Sequence, residues 1–181
     1  MLGGRFLELI TAIKGRRAVR RFREEPISLE HLKKILEAGI WAPSGSNIQA
    51  WEFILVTDKE NIEKIKLISP GLFDNPQALI VLCINKKRAE KGGRLGENTA
   101  LMDISMAAQN MMLLAYSLGI GSCPVVSFNK TAIRELLNIP EHVDPVLILS
   151  FGYPKFWPKA PRRRPLKEVV HVEEYGKHFE G

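Results

Sequence analysis

NTALMDISMAAQNMMLLAYSL, residues 98–118, places apolar side chains around more than one stripe of a helix, through Ala100, Leu101, Ile104, Ala107, Ala108, Met111, Met112, Leu114 and Ala115. A helix of that kind must be covered on most sides. Gly119 and Gly121 end it, and an extended piece, Ser122 to Ser127, follows. In a chain of 181 residues, two arrangements supply the cover. Either the helix is wrapped within one subunit, or a homodimer buries what one subunit leaves bare.

Working outward, Phe6, Leu7, Ile10 and Ile13 predict a first helix over residues 5–14, stopped by Gly15. Ser28 caps a second helix striped by Leu29, Leu32, Ile35 and Leu36. Trp51 to Thr57 reads as a strand, and Asp58 caps a helix carrying Ile62, Ile65 and Ile68. Ala78 to Ile84 is a continuous apolar run, which predicts a strand buried on both faces. Lys86 to Gly96 is charged and glycine-containing and reads as a mobile loop. Beyond the central helix, Asn129 caps a helix ending near Asn138, and Val146 to Phe151 is another buried strand. From Gly152 onward the chain is proline-rich and basic. The expected class is therefore α+β, one domain over 1–181, with 153–181 as an extended C-terminal arm.

Hydrophobic residues make up 45% and charged residues 25%, the balance of a globular chain rather than a disordered one. The net charge of +6 favours an anionic partner without naming it. Two cysteines, Cys83 and Cys123, form no CxxC pair, which argues against a disulfide framework and for a reducing, cytoplasmic setting. No apolar run reaches the length of a membrane span, so no membrane partner is expected. His31, His142, His171 and His178 lack metal-ligand spacing, and no metal is expected. The chain has no GxSxG elbow and no P-loop, and the glycines at 119 and 121 follow a helix where a dinucleotide fingerprint would follow a strand. Asp103, inside the long helix, invites a catalytic reading but is read first as facing solvent or capping a neighbouring segment, and Cys123 is either a nucleophile beside a helix end or a buried packing residue.

Two arginine groups remain, Arg16, Arg17, Arg20 and Arg21 near the start and Arg162, Arg163 and Arg164 near the end. Ala18, Val19 and Phe22 are interleaved with the first group, so some of those arginines are carried inward. Unpaired inward charge is costly, and a phosphate relieves it with bidentate geometry if the two groups converge. The loop Ala42-Pro43-Ser44-Gly45-Ser46-Asn47-Ile48-Gln49-Ala50-Trp51 offers small polar groups suited to the edge of a heteroaromatic ring, and it also reads as a plain helix-to-strand turn.

RRAVRRF at 16–22, SLE at 28–30, APSGSNIQAW at 42–51, DISMAAQNMMLLAYSLGIGSCPVVSF at 103–128, GYP at 152–154 and RRRPLKEVV at 162–170 stand in an order that closely resembles the FMN-dependent nitroreductase family. The resemblance covers nearly the whole chain. It implies a nitroreductase-like fold, a central mostly antiparallel sheet flanked by helices, in an intertwined homodimer. It also implies that Arg16, Arg162 and Arg164 bind the FMN phosphate, with Arg17 and Ala18 nearby and Arg20 toward the pyrimidine edge. Pro43, Ser44, Ser46 and Asn47 would come from the partner subunit. Cys123, Pro124, Val125, Val126 and Ser127 would line the ring, with a backbone N–H facing the nitrogen that accepts hydride.

The implied activity passes electrons from NADH or NADPH through FMN to a nitroaromatic, quinone or similar small-molecule acceptor in a ping-pong cycle. The flavin carries the chemistry, so no catalytic side chain is assigned. Specialised flavin activities of the same fold, reductive dehalogenation or flavin fragmentation, are an alternative. A basic nucleic-acid-binding module is a further one; the leading reading has no nucleic-acid partner. Two departures from the family stand out: Ala18 where Ser is frequent removes a hydroxyl contact, and Ala50 where Pro is common is expected to loosen the loop before Trp51.

Overall fold

A computed structural model describes residues 8–180. In chain order it contains α1 (Leu9–Gly15), α2 (Leu29–Ile40), β1 (Trp51–Val56), α3 (Lys59–Leu67), β2 (Ala78–Asn85), α4 (Lys86–Ala89), α5 (Gly93–Ser117), β3 (Gly121–Val125), α6 (Lys130–Leu136), β4 (Val143–Gly152) and α7 (Leu166–Val169). Single 3₁₀ turns occupy Gly45–Asn47 and Glu90–Gly92. The predicted helix starts fall where side-chain oxygens meet free helix N–H groups. His31 N donates to Ser28 Oγ at 3.2 Å, Asn61 N to Asp58 Oδ1 at 2.9 Å and Ala132 N to Asn129 Oδ1 at 3.1 Å. Part of the first predicted helix, residues 5–7, lies outside the described residues; its visible part begins at Leu9.

The four strands form one sheet in the order β1-β2-β4-β3, antiparallel at every pairing. The continuous apolar run of β2 follows from its central place. Ile80 and Leu82 point to a core shared with Ile35 of α2 and with Ile104 and Met111 of α5. Leu79, Val81 and Cys83 point the other way, onto Ile62 and Ile65 of α3 and Ile133 of α6. Helices thus cover both faces, as the α+β reading requires. β4 starts at Val143, three residues before the predicted Val146, because a register shift between Leu82 and Cys83 admits Pro145 into the strand.

Lys86 to Gly96 is not a loop. Asn85 caps α4 by accepting from Arg88 N at 3.1 Å, a 3₁₀ turn follows, and α5 begins at Gly93, earlier than the 98 expected from periodicity. Ile48 packs into the space left by Gly92 and Gly96, an apolar contact from another segment that holds these polar turns in place. Beyond β4 the chain is largely without regular structure. That stretch contains the single turn α7 and a local bridge between His171 and His178.

Along α5, Ala100, Asp103, Ile104, Ala107, Ala108, Met111, Met112 and Ala115 are buried, whereas Leu101 and Met102 are more than half exposed. Leu9, Ile10 and Ile13 of α1, together with Ile40 and Trp41 at the end of α2, are bare as well. One subunit therefore covers only part of the girth of the central helix.

Candidate functional site

The segment 16–23 is stitched to the outer edge of the sheet. Ala18 bridges Ser122 of β3 in parallel, and Val19 N donates to Ser122 O at 2.9 Å. Arg23 N then donates to Tyr153 O at 2.8 Å, and Lys155 N returns a bond to Arg21 O at 3.0 Å, just after β4. Val19 and Phe22 are each 1% exposed and enter the core as anchors. Gly121 makes room for this, because a Cβ there would lie 2.8 Å from that of Val19. With those two side chains inward, the arginines between and before them are held at the rim by apolar packing rather than by ion pairs.

Arg16 is the most constrained of them. Its Nε is buried with no hydrogen-bond partner among the described residues, and so is Nε of Arg17. Arg17 spends Nη1 on the carbonyls of Lys14 and Arg16, at 2.6 and 2.9 Å. Burial, and after it the positive charges of Arg163 and Arg17, hold the Arg16 guanidinium below its ordinary value. Arg163, from the C-terminal arginine run, is thus near enough for its charge to act on Arg16. A buried unpaired N–H costs roughly 1–3 kcal/mol, and an anion removes that cost while neutralising the like charges.

The other two C-terminal arginines stand differently. Arg164 donates through Nη2 to Glu168 O at 2.8 Å and through Nε to Glu168 Oε2 at 3.3 Å, while the carbonyl of Arg162 accepts from Arg163 Nη1 at 3.5 Å. Arg163 belongs to the second arginine group but not to the residues that the resemblance implies at the phosphate; a run of three arginines carries no signal as to which one turns inward.

Cys123 borders the same place. Its thiol is buried and pushed up by that burial, against the opposing pull of Arg20 and Arg16. A raised thiol is a poor nucleophile, which supports the packing role. From Cys123, which lies beside Arg20 and Arg16, the edge continues with Pro124 and Val126 exposed and Val125 buried. A segment the sequence reading missed closes the other side. Asp74 Oδ2 accepts from Phe22 N at 2.8 Å, and the ring of Phe73 lies 6.0 Å from the Arg20 guanidinium. Pro70 and Gly71 had marked only a helix stop, and an isolated Phe in a turn gives no further hint.

The loop Ser44 to Gln49 is built otherwise. Ser46, Asn47 and Gln49 adopt φ of 49°, 55° and 53°, the left-handed region that costs a residue with a Cβ roughly 1–2 kcal/mol. Its own bonds compensate: Gln49 N donates to Ser44 Oγ at 3.1 Å, and Gln49 Nε2 to Asn47 Oδ1 at 2.8 Å. Asp103, which is 2% exposed, accepts from Gly45 N at 3.3 Å, and Arg88 Nε donates to Ile48 O at 2.7 Å. Asp103 thus joins a neighbouring segment, one of the two expected fates. Burial pushes its carboxyl above the usual aspartate range, partly offset by the Gly45 N–H. Ala50 does not loosen the loop, since it is buried and its carbonyl accepts from Asn85 N at 2.7 Å.

Within one chain the loop and the arginines are far apart. Asp103 marks the loop, and Tyr116, packed against Gly15, marks the arginines. Thirteen residues of α5 separate them, about 20 Å along the axis at 1.5 Å per residue.

A model of the Nitroreductase family matches residues 13–78 and 65–153. The chain is 35% identical over 178 residues to an Archaeoglobus fulgidus protein with the provisional name NADH dehydrogenase/NAD(P)H nitroreductase, covering 93% of this chain and 99% of that one. It is 29% identical over 185 residues to the FMN reductase [NAD(P)H] of Bacillus subtilis, covering 93% and 74%. Among solved structures, an FMN-dependent nitroreductase from Clostridium difficile superposes with a TM-score of 0.81 at 29% identity, over 92% of this chain and 99% of that one. The antiparallel sheet, the half-bare central helix and the arginines on the sheet edge therefore belong to a member of the nitroreductase family.

Proposed function

We propose that this chain is an FMN-dependent oxidoreductase that takes electrons from NADH or NADPH and passes them to a nitroaromatic, quinone or similar small-molecule acceptor. The observation that carries the reading is the pair of buried, unpartnered Nε atoms of Arg16 and Arg17 with Arg163 beside them. This donor set suits the doubly charged phosphate of a mononucleotide. Arg162 and Arg164 complete the phosphate site when Arg164 exchanges Glu168 for the anion. Ala18 lies along the same segment, and Arg20 sets a positive charge at the pyrimidine edge, where negative charge develops on reduction.

FMN supplies hydride acceptance and donation, so the chain itself has to bind, orient and tune. Cys123, Pro124, Val125, Val126 and Ser127 would border the ring, and a backbone N–H among them would face its central nitrogen. Pro43, Ser44, Ser46 and Asn47 would reach the ring from the partner subunit. The bare apolar residues of α1, α2 and α5 favour that homodimer, since they are what a second copy would cover. A single exposed ring face used in turn by nicotinamide and acceptor gives ping-pong kinetics.

Purified protein is expected to be yellow, to release FMN on denaturation and to bleach anaerobically with NADH or NADPH. Steady-state rates should give parallel double-reciprocal lines. Protein that neither carries nor takes up FMN would overturn the reading, and intersecting lines would overturn the ping-pong assignment.

A further inference from the structure

We propose that Asp103 is a positioning residue for flavin binding: from the middle of α5 it accepts the Gly45 N–H and so fixes the left-handed 44–49 loop in the conformation that meets the cofactor. This rests on the reading that the loop contacts FMN.

Nothing in α5 itself calls for a carboxylate at this position. Asp is a poor helix former in a helix interior, and burial is unfavourable to its charge. Among the described residues, its side chain is hydrogen-bonded to Gly45, 58 positions earlier. One turn before it, Thr99 presents a buried hydroxyl without a partner, and it presents it to the same glycine. A Cβ at position 45 would lie 2.6 Å from Thr99 Oγ1. Asp103 and Thr99 thus form a seat on α5, polar at one turn and close-fitting at the other, into which the backbone of Gly45 is lowered.

The loop needs such a seat. The bonds from Gln49 to Ser44 and Asn47 close it on itself but leave it unattached to the rest of the chain. Polar attachment comes from Asp103 at its start and Arg88 at its end, beside the apolar packing of Ile48 against Gly92 and Gly96. With three residues in the left-handed region, release of either tie lets the backbone relax to ordinary φ values and turns Ser46 and Asn47 away from their present directions. The loop's contribution to cofactor affinity then falls, although the sheet and its two cores are untouched.

The test measures FMN dissociation constants by flavin fluorescence on purified, flavin-stripped protein, with melting of the flavin-free protein as a control. Asp103→Ala should raise the dissociation constant about ten- to hundredfold, the loss expected for a hydrogen bond to a charged group. Asp103→Asn keeps an oxygen acceptor and should stay within about threefold of wild type. Gly45→Ala, which leaves Asp103 intact, should weaken FMN by pushing the loop off α5, and Thr99→Ala in the same chain should restore part of the affinity.

An Asp103→Ala protein that binds FMN within threefold of wild type overturns the proposal. So does a Gly45→Ala loss that Thr99→Ala fails to relieve. If Asp103→Ala does not fold, the Gly45 and Thr99 pair decides alone. A wild-type protein that takes up no FMN overturns the functional reading itself, a result none of the variants can mimic.

Discussion

The two ends of α5 carry two solutions to the problem of holding polar groups ready for a ligand. At its C-terminal end, Arg16 and Arg17 are fixed by apolar anchors, Val19 and Phe22, and are left with donors unpaired. Along its N-terminal half, the 44–49 loop is fixed by polar ties and left-handed backbone, and its donors and acceptors largely satisfy one another. The first arrangement stores electrostatic cost that an anion relieves. The second stores conformational cost that neighbouring groups offset. A rigid helix keeps the two about 20 Å apart, and in the proposed site a ligand meets both across two copies of the chain.

The comparison breaks first at its apolar anchor. Phe22→Ala should cost about 3–5 kcal/mol of stability by leaving a cavity under the arginine segment, measured by urea unfolding; a loss below 1 kcal/mol would mean that the segment is held by its backbone bonds instead. Arg16→Ala should come next, weakening FMN about a hundredfold while leaving the flavin-free protein at least as stable, because the buried unpaired donor is removed with the side chain. Retained yellow colour through gel filtration would remove Arg16 from the phosphate site.

A mixed dimer sharpens the comparison further. With Arg16→Ala in one subunit and Asp103→Ala in the other, one site contains both lesions and the second contains neither, provided that loop and arginines meet across the interface. Titration should then find one tight FMN per dimer. If loop and arginines served the same chain, each site would be damaged and no tight site would remain.

The smallest effect concerns pH. Because burial raises the Asp103 carboxyl in the folded state, the unfolded chain ionises first, at about pH 4. Wild type should therefore lose stability relative to Asp103→Asn as pH rises through that value, and the difference should level off once the folded carboxyl has ionised. A gap that moves in the opposite direction would show that the Gly45 bond outweighs burial.

Local chemistry made much of this molecule readable. Ser28, Asp58 and Asn129 begin helices because a short side-chain oxygen reaches the third N–H onward, a relation confined to four residues. Ala78–Asn85 announces its central position because both faces of a middle strand need apolar cover. Lys86 to Gly96 was misread because what orders it, Ile48 against Gly92 and Gly96 and Arg88 on Ile48 O, comes from some forty residues away. The positions of Asp103 and Arg163 had the same obstacle: composition places a carboxylate in a helix and three arginines in an arm but not the group that each faces.

From sequence by itself came the helix caps, the buried strand, the excess of positive charge and the ordered motifs of the family, all of them either local or cumulative along the chain. Only the tertiary structure decided that Arg163 is the arginine bearing on Arg16, that Phe73 and Asp74 close the border, and that Asp103 seats Gly45. Those outcomes depend on distances between segments up to about 150 residues apart, and such distances are set by how helices and sheet pack, not by any residue's own preference.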